Sequence, residues 1–225
     1  MTFSIAGRCE TTGMLGVAIT TSSISVGARC PHARAGVGAV ATQNVTDPSL
    51  APELLDRLEA GMAAPEALDN LLRNLENSEY RQLVVVDCHG RTACHTGEKI
   101  LGIHGESAGA GCYAAGNLLA NKRVPEAMTG MFGSLPGVHL GERLMRSLQA
   151  GLDAGGEMGE VHSAALLVVD AQPFPLVDLR VDWEDAGAVD RLRALWRAYE
   201  PQMLDYLTRA VNPADAPSYG VPGDL

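Results

Sequence analysis

Short runs of apolar residues separated by turn-forming residues dominate the first 45 positions of the chain. The runs are rich in Ile, Val, Thr and Ala, and Gly, Asp and Ser separate them, which is typical of strands joined by turns. We predict strands at 3–8, 15–21, 24–28 and 36–43. Leucines then recur at the i, i+3, i+4 and i+7 spacing of amphipathic helices, which predicts two helices, within 54–62 and 68–75.

Strand and helix patterns alternate again in the rest of the chain. Strands are predicted at 81–87, 91–95, 100–104 and 112–116. Helical spacing returns at 124–132 and 140–152, and two further strands follow at 164–170 and 177–181. A last long helix starts near Val189 and continues beyond Pro201. Groups of strands therefore alternate with pairs of helices rather than with single helices.

This order of elements predicts the fold class. Single βα units indicate a parallel sheet, whereas groups of strands followed by helix pairs favour antiparallel sheets covered by helices. We expect an α+β fold, a four-layer αββα sandwich in which two antiparallel sheets face each other and helices cover both. Residues 1–211 are expected to form one domain, and residues 212–225 a loose tail.

Composition and charge exclude several classes of protein. The 17 Lys and Arg against 27 Asp and Glu give a net charge of −10 without any basic run, so we expect no nucleic-acid binding. No apolar stretch approaches the ~20 residues that cross a bilayer, so we expect no membrane association. Five cysteines without a C-x-x-C pattern suit reduced thiols, and no signal-peptide pattern precedes the first strand. These features predict a cytoplasmic protein.

Thr2 is the residue with the clearest chemical potential. A threonine directly after the initiator Met becomes the first residue once Met1 is removed, and it then carries a hydroxyl and a free α-amine. The hydroxyl can act as the nucleophile and the amine as its base. An α-amine has an ordinary pKa of ~7.7 to 8.0, so part of it is an uncharged base near neutral pH. Many proteins begin Met-Thr without catalytic consequence, so Thr2 alone does not establish a function.

Short motifs along most of the chain resemble one protein family. They lie at 2–8 (TFSIAGR), 12–18, 26–28, 33–43, 80–82, 86–91, 96–97, 116–119, 163–169 and 178–182. On these motifs the chain resembles DUF1028, a family of bacterial and archaeal proteins assigned to the Ntn-hydrolase-like group. The resemblance implies the αββα sandwich of N-terminal nucleophile hydrolases and amide hydrolysis by Thr2.

Acyl transfer also needs hydrogen-bond donors for the developing oxyanion, and Asn117, after Gly116, is the first choice, although it could equally cap a turn. Arg34 lies where proteasome-type relatives place a lysine that faces their threonine. Its guanidinium could lower the pKa of the amine or bind a substrate carboxylate, but it could also form a surface ion pair. Candidates for the rest of the substrate site are Gln43, Arg81, Ser163 and His162.

Some positions depart from the family pattern. Ala115 stands where Gln is common, His32 stands where Trp is common, and residues 157–159 together with His162 replace a more basic stretch. If these positions line the pocket, the substrate differs from that of the relatives. Thr2 is not affected, so the expected reaction is unchanged.

Two other motif matches are weak. Residues 36–41 and 109–114 match G-x-G-x-x-A, but neither glycine motif opens a helix, so nucleotide binding is not expected. Cys88-His89 and Cys94-His95 flank a turn, but neighbouring strand residues point to opposite faces, which leaves too few ligands for zinc. We expect neither a metal nor an organic cofactor.

The sequence therefore predicts an N-terminal threonine amidohydrolase that cleaves an amide or ureido bond of a small polar compound with a carboxylate. A non-catalytic ligand-binding or assembly protein on the same fold, and a proteasome-like peptidase subunit, are the alternatives. Few aromatic residues and many glycines suit sheet faces that pack closely, so we expect a homodimer or a higher homo-oligomer.

Overall fold

Ten strands and six α-helices make up the computed structural model, which describes residues 1–221. The strands are β1 (Thr2–Arg8), β2 (Leu15–Thr21), β3 (Pro31–Arg34), β4 (Gly38–Asn44), β5 (Arg81–Asp87), β6 (Thr92–Thr96), β7 (Gly105–Gly109), β8 (Cys112–Asn117), β9 (Ser163–Val169) and β10 (Val177–Val181). The helices are α1 (Leu50–Glu59), α2 (Ala64–Leu72), α3 (Val124–Gly133), α4 (Leu140–Asp153), α5 (Ala188–Tyr199) and α6 (Met203–Val211).

The strands form two antiparallel sheets. One has six strands in the order β10-β9-β2-β1-β8-β7, and the other has four in the order β3-β4-β5-β6. β1 therefore lies in the middle of the larger sheet, with β2 on one side and β8 on the other. The larger sheet combines strands from both halves of the chain, whereas all four strands of the smaller sheet lie within residues 31–96.

Three apolar clusters hold the layers together. The first lies between the sheets and contains Ala6, Val17 and Val84. The second joins the larger sheet to α3, α4 and α5, and it includes Phe3 and Trp196. The third joins the smaller sheet to α1 and α2. The expected α+β fold, a four-layer αββα sandwich of two antiparallel sheets, is thus confirmed.

The alternation of side chains along β1 fixes its two faces. Phe3 and Ile5 belong to the helix-side cluster, whereas Ser4 and Ala6 face the other sheet. Thr2 is on the same face as Ser4, because side chains two positions apart in a strand point the same way. The first residue of β1 therefore points into the space between the sheets.

Two predicted strands were wrong. Residues 24–28 form a turn and a short 3₁₀ helix at Val26–Ala28, because Ser25 has a left-handed φ of 55° and its neighbour's N–H bonds to a side chain. Residues 100–104 form a loop in which Gly102 has a φ of 62°, and the strand follows as β7. The strand β3 was not predicted, since its four residues show no clear alternation.

Only part of the expected loose tail can be compared with the structure. Over 212–221 the chain makes a short 3₁₀ turn at Pro213–Asp215, and the Arg209 guanidinium contacts the carbonyl of Pro217 and the ring of Tyr219. Residues 222–225 lie outside the described residues. The domain boundary at 211 remains a prediction. Within residues 1–221, no helix combines the length and apolar character needed to cross a membrane.

Candidate active site

Four polar side chains form a row across the larger sheet at the start of β1. Thr2 pairs with Asn117 of β8 on one side and with Thr21 of β2 on the other, and Thr21 pairs with Ser163 of β9. Residues directly opposite each other on antiparallel strands project from the same face of a sheet. The row therefore faces the smaller sheet, and all four residues are buried.

The Thr2 hydroxyl lies directly beneath the first residue of the chain. Its Oγ1 donates to the Met1 carbonyl at 2.6 Å and lies 3.1 Å from Thr21 Oγ1. Thr21 Oγ1 also donates to the Met1 carbonyl. Thr2 is only 7% exposed while Met1 is present. Removal of Met1 would take away this shared acceptor and leave an α-amine and a hydroxyl together at the end of the strand.

Asn117 belongs to a hydrogen-bond network that joins the two sheets. Its Nδ2 donates to Gln82 Oε1 at 3.1 Å, and Gln43 Nε2 donates to the same oxygen at 2.8 Å. Gln43 Oε1 accepts from Ser4 at 2.7 Å, and Gln82 Nε2 donates to the Gly116 carbonyl at 3.2 Å. Because these groups are buried and hydrogen-bonded to one another, the network fixes the direction of the Asn117 amide.

The backbone turns sharply after Asn117. Leu118 has a φ of 49°, which is unfavourable for a side chain with a Cβ and persists only where the surroundings hold it. Its N–H donates to the carbonyl of Leu101, and its own carbonyl accepts from Met158. The turn brings the segment around residue 157 over the beginning of β1.

Glu157 is a buried carboxylate in this segment. It is 6% exposed, and its Oε2 accepts from the Ser22 N–H at 3.2 Å, whereas Oε1 has no hydrogen-bond partner among residues 1–221. Burial raises the pKa of Glu157 to about 8, and the charged amino terminus and the Ser22 N–H act in the opposite direction. The site thus contains a carboxyl group that can exchange a proton near neutral pH.

Ser163 fixes the turn at residues 23–26, which places the Arg29 guanidinium close to the row. Its Oγ donates to the carbonyl of Ser23 at 2.6 Å and accepts from the N–H of Val26 at 3.1 Å. Ser23 Oγ lies 3.3 Å from Thr21 Oγ1 and accepts from Arg29 Nη2 at 3.2 Å. Among residues 1–221, no acidic side chain pairs with Arg29. Arg29 Nη2 also donates to the Ile24 carbonyl at 2.8 Å, so the guanidinium is held in place while no carboxylate of these residues neutralises its charge.

Arg34 is not brought to Thr2. It pairs with Gly38 at the start of β4, five residues from Gln43, which at the strand rise corresponds to roughly 16 Å. Its guanidinium pairs with Asp56 at 2.9 Å and Glu59 at 2.6 Å on α1, and the hydrogen bond that it donates to Asp56 raises its pKa. The surface ion pair, the alternative interpretation of this residue, describes its environment.

Two further candidates lie near the site but face away from the row. Arg81 donates to the Val45 carbonyl at 2.5 Å and lies 3.9 Å from Asp47, so its guanidinium fastens the loop after β4. His162 stacks on Trp183 with ring centroids 4.5 Å apart and bonds through Nδ1 to the carbonyl of Glu184. Neither side chain is directed at Thr2, and we leave both out of the proposed site.

Several residues of the site were missed or misjudged from the sequence. Thr21, Gln82 and Arg29 were not candidates, and Glu157 was noted only as a difference in the pocket. Gln82 carried a detectable pattern, because a polar residue before four apolar positions of a buried strand needs a partner. Arg29 carried none, since its contact depends on the turn closed by Ser163.

Three of the five cysteines, Cys30, Cys94 and Cys112, are poor nucleophiles because burial raises their pKa. Burial raises the pKa of Cys112 to about 12 and raises that of Cys94 well above its ordinary value. A thiol with a raised pKa is not ionised at neutral pH and is unreactive. Among residues 1–221, no three His, Cys, Asp or Glu side chains come close enough to hold a metal ion.

Comparison with known proteins shows similarity in sequence and in fold. The family model described as "Family of unknown function (DUF1028)" matches residues 2–192. The crystal structure of protein SPO2555 from Silicibacter pomeroyi, assigned to the same family model, is similar with a TM-score of 0.81 and 29% identity over 88% of each chain.

Two structures of Anbu (ancestral beta-subunit) also match. That from Yersinia bercovieri has a TM-score of 0.39 and 10% identity, and that from Hyphomicrobium sp. strain MC1 has 0.37 and 11%. Both matches cover 97% of this chain and 100% of the other. No curated protein matches the sequence significantly.

Proposed function

The chain belongs to the DUF1028 family, whose function is unknown. From the geometry of its own site, we propose that it is an N-terminal threonine amidohydrolase. The observation that carries the proposal is the buried Thr2 Oγ1 at the start of β1, one residue after Met1, with Asn117 opposite it. The family match itself begins at residue 2. The scissile bond is an amide or ureido C–N bond of a small compound.

The reaction begins once Met1 is removed. The α-amine of Thr2 takes the proton of its own Oγ1 as the oxygen attacks the carbonyl carbon, and a tetrahedral intermediate forms. The ammonium returns this proton to the leaving nitrogen as the C–N bond breaks, which leaves an acyl ester on Oγ1. Water then attacks the ester with the amine again as base, and the acid is released.

Asn117 supplies a donor for the oxyanion. A side-chain amide has two N–H donors on Nδ2, and Gln82 accepts only one of them. The second is available to the oxygen that becomes charged in the tetrahedral intermediate. Because Gln82 and Gln43 hold the amide before substrate arrives, little reorganisation is needed in the transition state.

Arg29 replaces Arg34 as the candidate that recognises a carboxylate. Contacts of 3.1, 3.3 and 3.2 Å lead from Thr2 Oγ1 through Thr21 and Ser23 to Arg29 Nη2. A substrate with its carbonyl at Thr2 could therefore place a carboxylate on this guanidinium if only a few bonds separate the two groups. Such a compound fits the small, carboxylate-bearing amide expected from the sequence.

We expect Arg29→Gln to raise KM for a carboxylate-bearing amide about tenfold to a hundredfold, because one charge-assisted hydrogen bond is lost. Arg34→Gln is the matched control, since within residues 1–221 the Arg34 guanidinium pairs only with Asp56 and Glu59. The kinetics of this variant should equal those of the wild type. Steady-state kinetics of both variants provide the test. Equal KM values for Arg29→Gln and wild type would show that the carboxylate is bound elsewhere.

Intact mass spectrometry before and after incubation with a β-lactone tests the whole proposal. We expect the mass to lack Met1 and a single adduct to map to Thr2. A folded protein that keeps Met1 has a blocked amine, and the ligand-binding or assembly interpretation would then replace hydrolysis. Size-exclusion chromatography separates a proteasome-like ring from a homodimer. The homodimer or higher homo-oligomer remains a prediction, as does the cytoplasmic location.

A further inference from the structure

One oxygen of Glu157 is buried without a hydrogen-bond donor. Its Oε2 accepts from the Ser22 N–H, but in the described part of the chain Oε1 has no hydrogen-bond partner, although the residue is only 6% exposed. A buried carboxylate oxygen without a donor is costly, and native proteins retain such groups mainly at functional sites. Oε1 therefore needs a hydrogen-bond donor, and residues 1–221 supply none while Met1 is present.

The groups around Glu157 all belong to the start of β1 and its neighbours. Ser22 follows Thr21, and Leu119, which forms a β-bridge with Glu157, is two residues beyond Asn117. Met1 Cε lies 3.4 Å from the position a Cβ would take on Gly159. Residues 157–159 thus close over Met1, and the amino terminus is the charged group that acts on Glu157 within residues 1–221.

Removal of Met1 changes which donor lies at this position. The new α-amine is the atom that now forms the peptide nitrogen between Met1 and Thr2, and it gains N–H donors when the peptide bond is cleaved. We propose that Glu157 is the positioning residue that accepts a hydrogen bond from the α-amine of Thr2 and exchanges a proton with it. This inference rests on the proposed function, because it requires the Met1-free protein.

Such a contact would assist both halves of the reaction. When the amine takes the Oγ1 proton it becomes an ammonium, and the carboxylate stabilises that charge. A hydrogen bond to Glu157 also directs the lone pair of the amine towards Oγ1. Burial favours the neutral carboxyl and the ammonium favours the carboxylate, so the two groups share one proton in the neutral range.

The test compares Glu157→Gln with wild type in two assays that need no known substrate. The first follows acetylation of the α-amine by acetic anhydride as a function of pH, which reports the apparent pKa of the amine. We expect this pKa to fall in the variant, because a negative charge that favours the ammonium is lost. The second measures β-lactone acylation of Thr2, which we expect to slow about tenfold to a hundredfold.

Glu160→Gln is the matched control, since Glu160 is exposed three residues away, and both of its assays should equal wild type. Thermal unfolding checks that the variants fold. If Glu157→Gln does not fold, Glu157→Asp replaces it in both assays. In Glu157→Asp the negative charge is kept, but the side chain is one methylene shorter. We therefore expect the pKa of the Thr2 amine to stay near the wild-type value, while the rate of β-lactone acylation falls.

Different results would overturn different claims. If wild type is acylated at Thr2 and Glu157→Gln has the same amine pKa and rate, the role of Glu157 is refuted while the proposed function stands. A slower acylation with an unchanged amine pKa would assign Glu157 a purely structural role and would also refute the inference. Retention of Met1 in wild type would refute both.

Discussion

Thr2→Ala should have no detectable amidase activity and should form no β-lactone adduct at residue 2. The substitution removes the only atom that can form the acyl ester, and loss of a nucleophile in comparable enzymes lowers kcat by a factor on the order of 10³ to 10⁶. The fold should survive, because the side chain makes two hydrogen bonds, to Met1 and Thr21, each worth about 1 kcal/mol. Intact mass and thermal unfolding measure both effects.

Thr2→Ser and Thr12→Ala complete this experiment. Serine keeps the hydroxyl, so adduct formation should persist at a reduced rate. Thr12 lies in the exposed turn at the other end of the β1–β2 hairpin, where its Oγ1 accepts from Met14, and its removal should leave turnover unchanged. Full activity in Thr2→Ala would eliminate the threonine mechanism.

The fold was predictable from the sequence because local patterns and element order both point to it. Leucine spacing located α1, α2 and α4, the helical spacing of other apolar residues located α3, and the grouping of strands indicated antiparallel sheets. The pairing of strands was beyond these patterns. β1 lies between β2 and β8, which is about 100 residues further along the chain, and only burial of both faces selects that register.

The contrast between Asn117 and Arg34 shows what the sequence could and could not supply for the site. Asn117 ends a strand after glycine, and register brings it directly opposite Thr2. Arg34 was inferred from its place in a motif, but two carboxylates on α1 pair with its guanidinium. Ion pairing depends on which helix lies next to a strand end, and that is a property of the tertiary structure.

Glu157 and Arg29 were missed as site residues for a related reason. Both lie in irregular segments, where neither the strand nor the helix period indicates which way a side chain points. Their positions follow from two turns, one closed by Ser163 and one shaped by the left-handed Leu118. Thr2 could therefore be named as a candidate from its position, whereas Glu157 and Arg29 could be found only in the folded chain.

Asn117→Ala should lower the rate of acylation by about 10² to 10³, with little change in substrate KM. The second N–H of Nδ2 bonds to the oxyanion in the transition state, and the neutral carbonyl of bound substrate gains much less from it. A β-lactone also reacts through a tetrahedral oxyanion, so its rate of reaction with Thr2 measures this effect before the natural substrate is identified.

Asn121→Ala distinguishes a loss of the oxyanion donor from a local loss of structure. Asn121 Nδ2 donates to the Ala154 carbonyl at 2.8 Å, so its removal costs a structural hydrogen bond of the same kind without affecting a group that reaches Thr2. We expect both variants to lose comparable stability, on the order of 1 kcal/mol, but only Asn117→Ala to lose acylation. Equal acylation rates in the two variants would transfer the oxyanion role to backbone N–H groups, because the transition-state charge would then be stabilised without Nδ2.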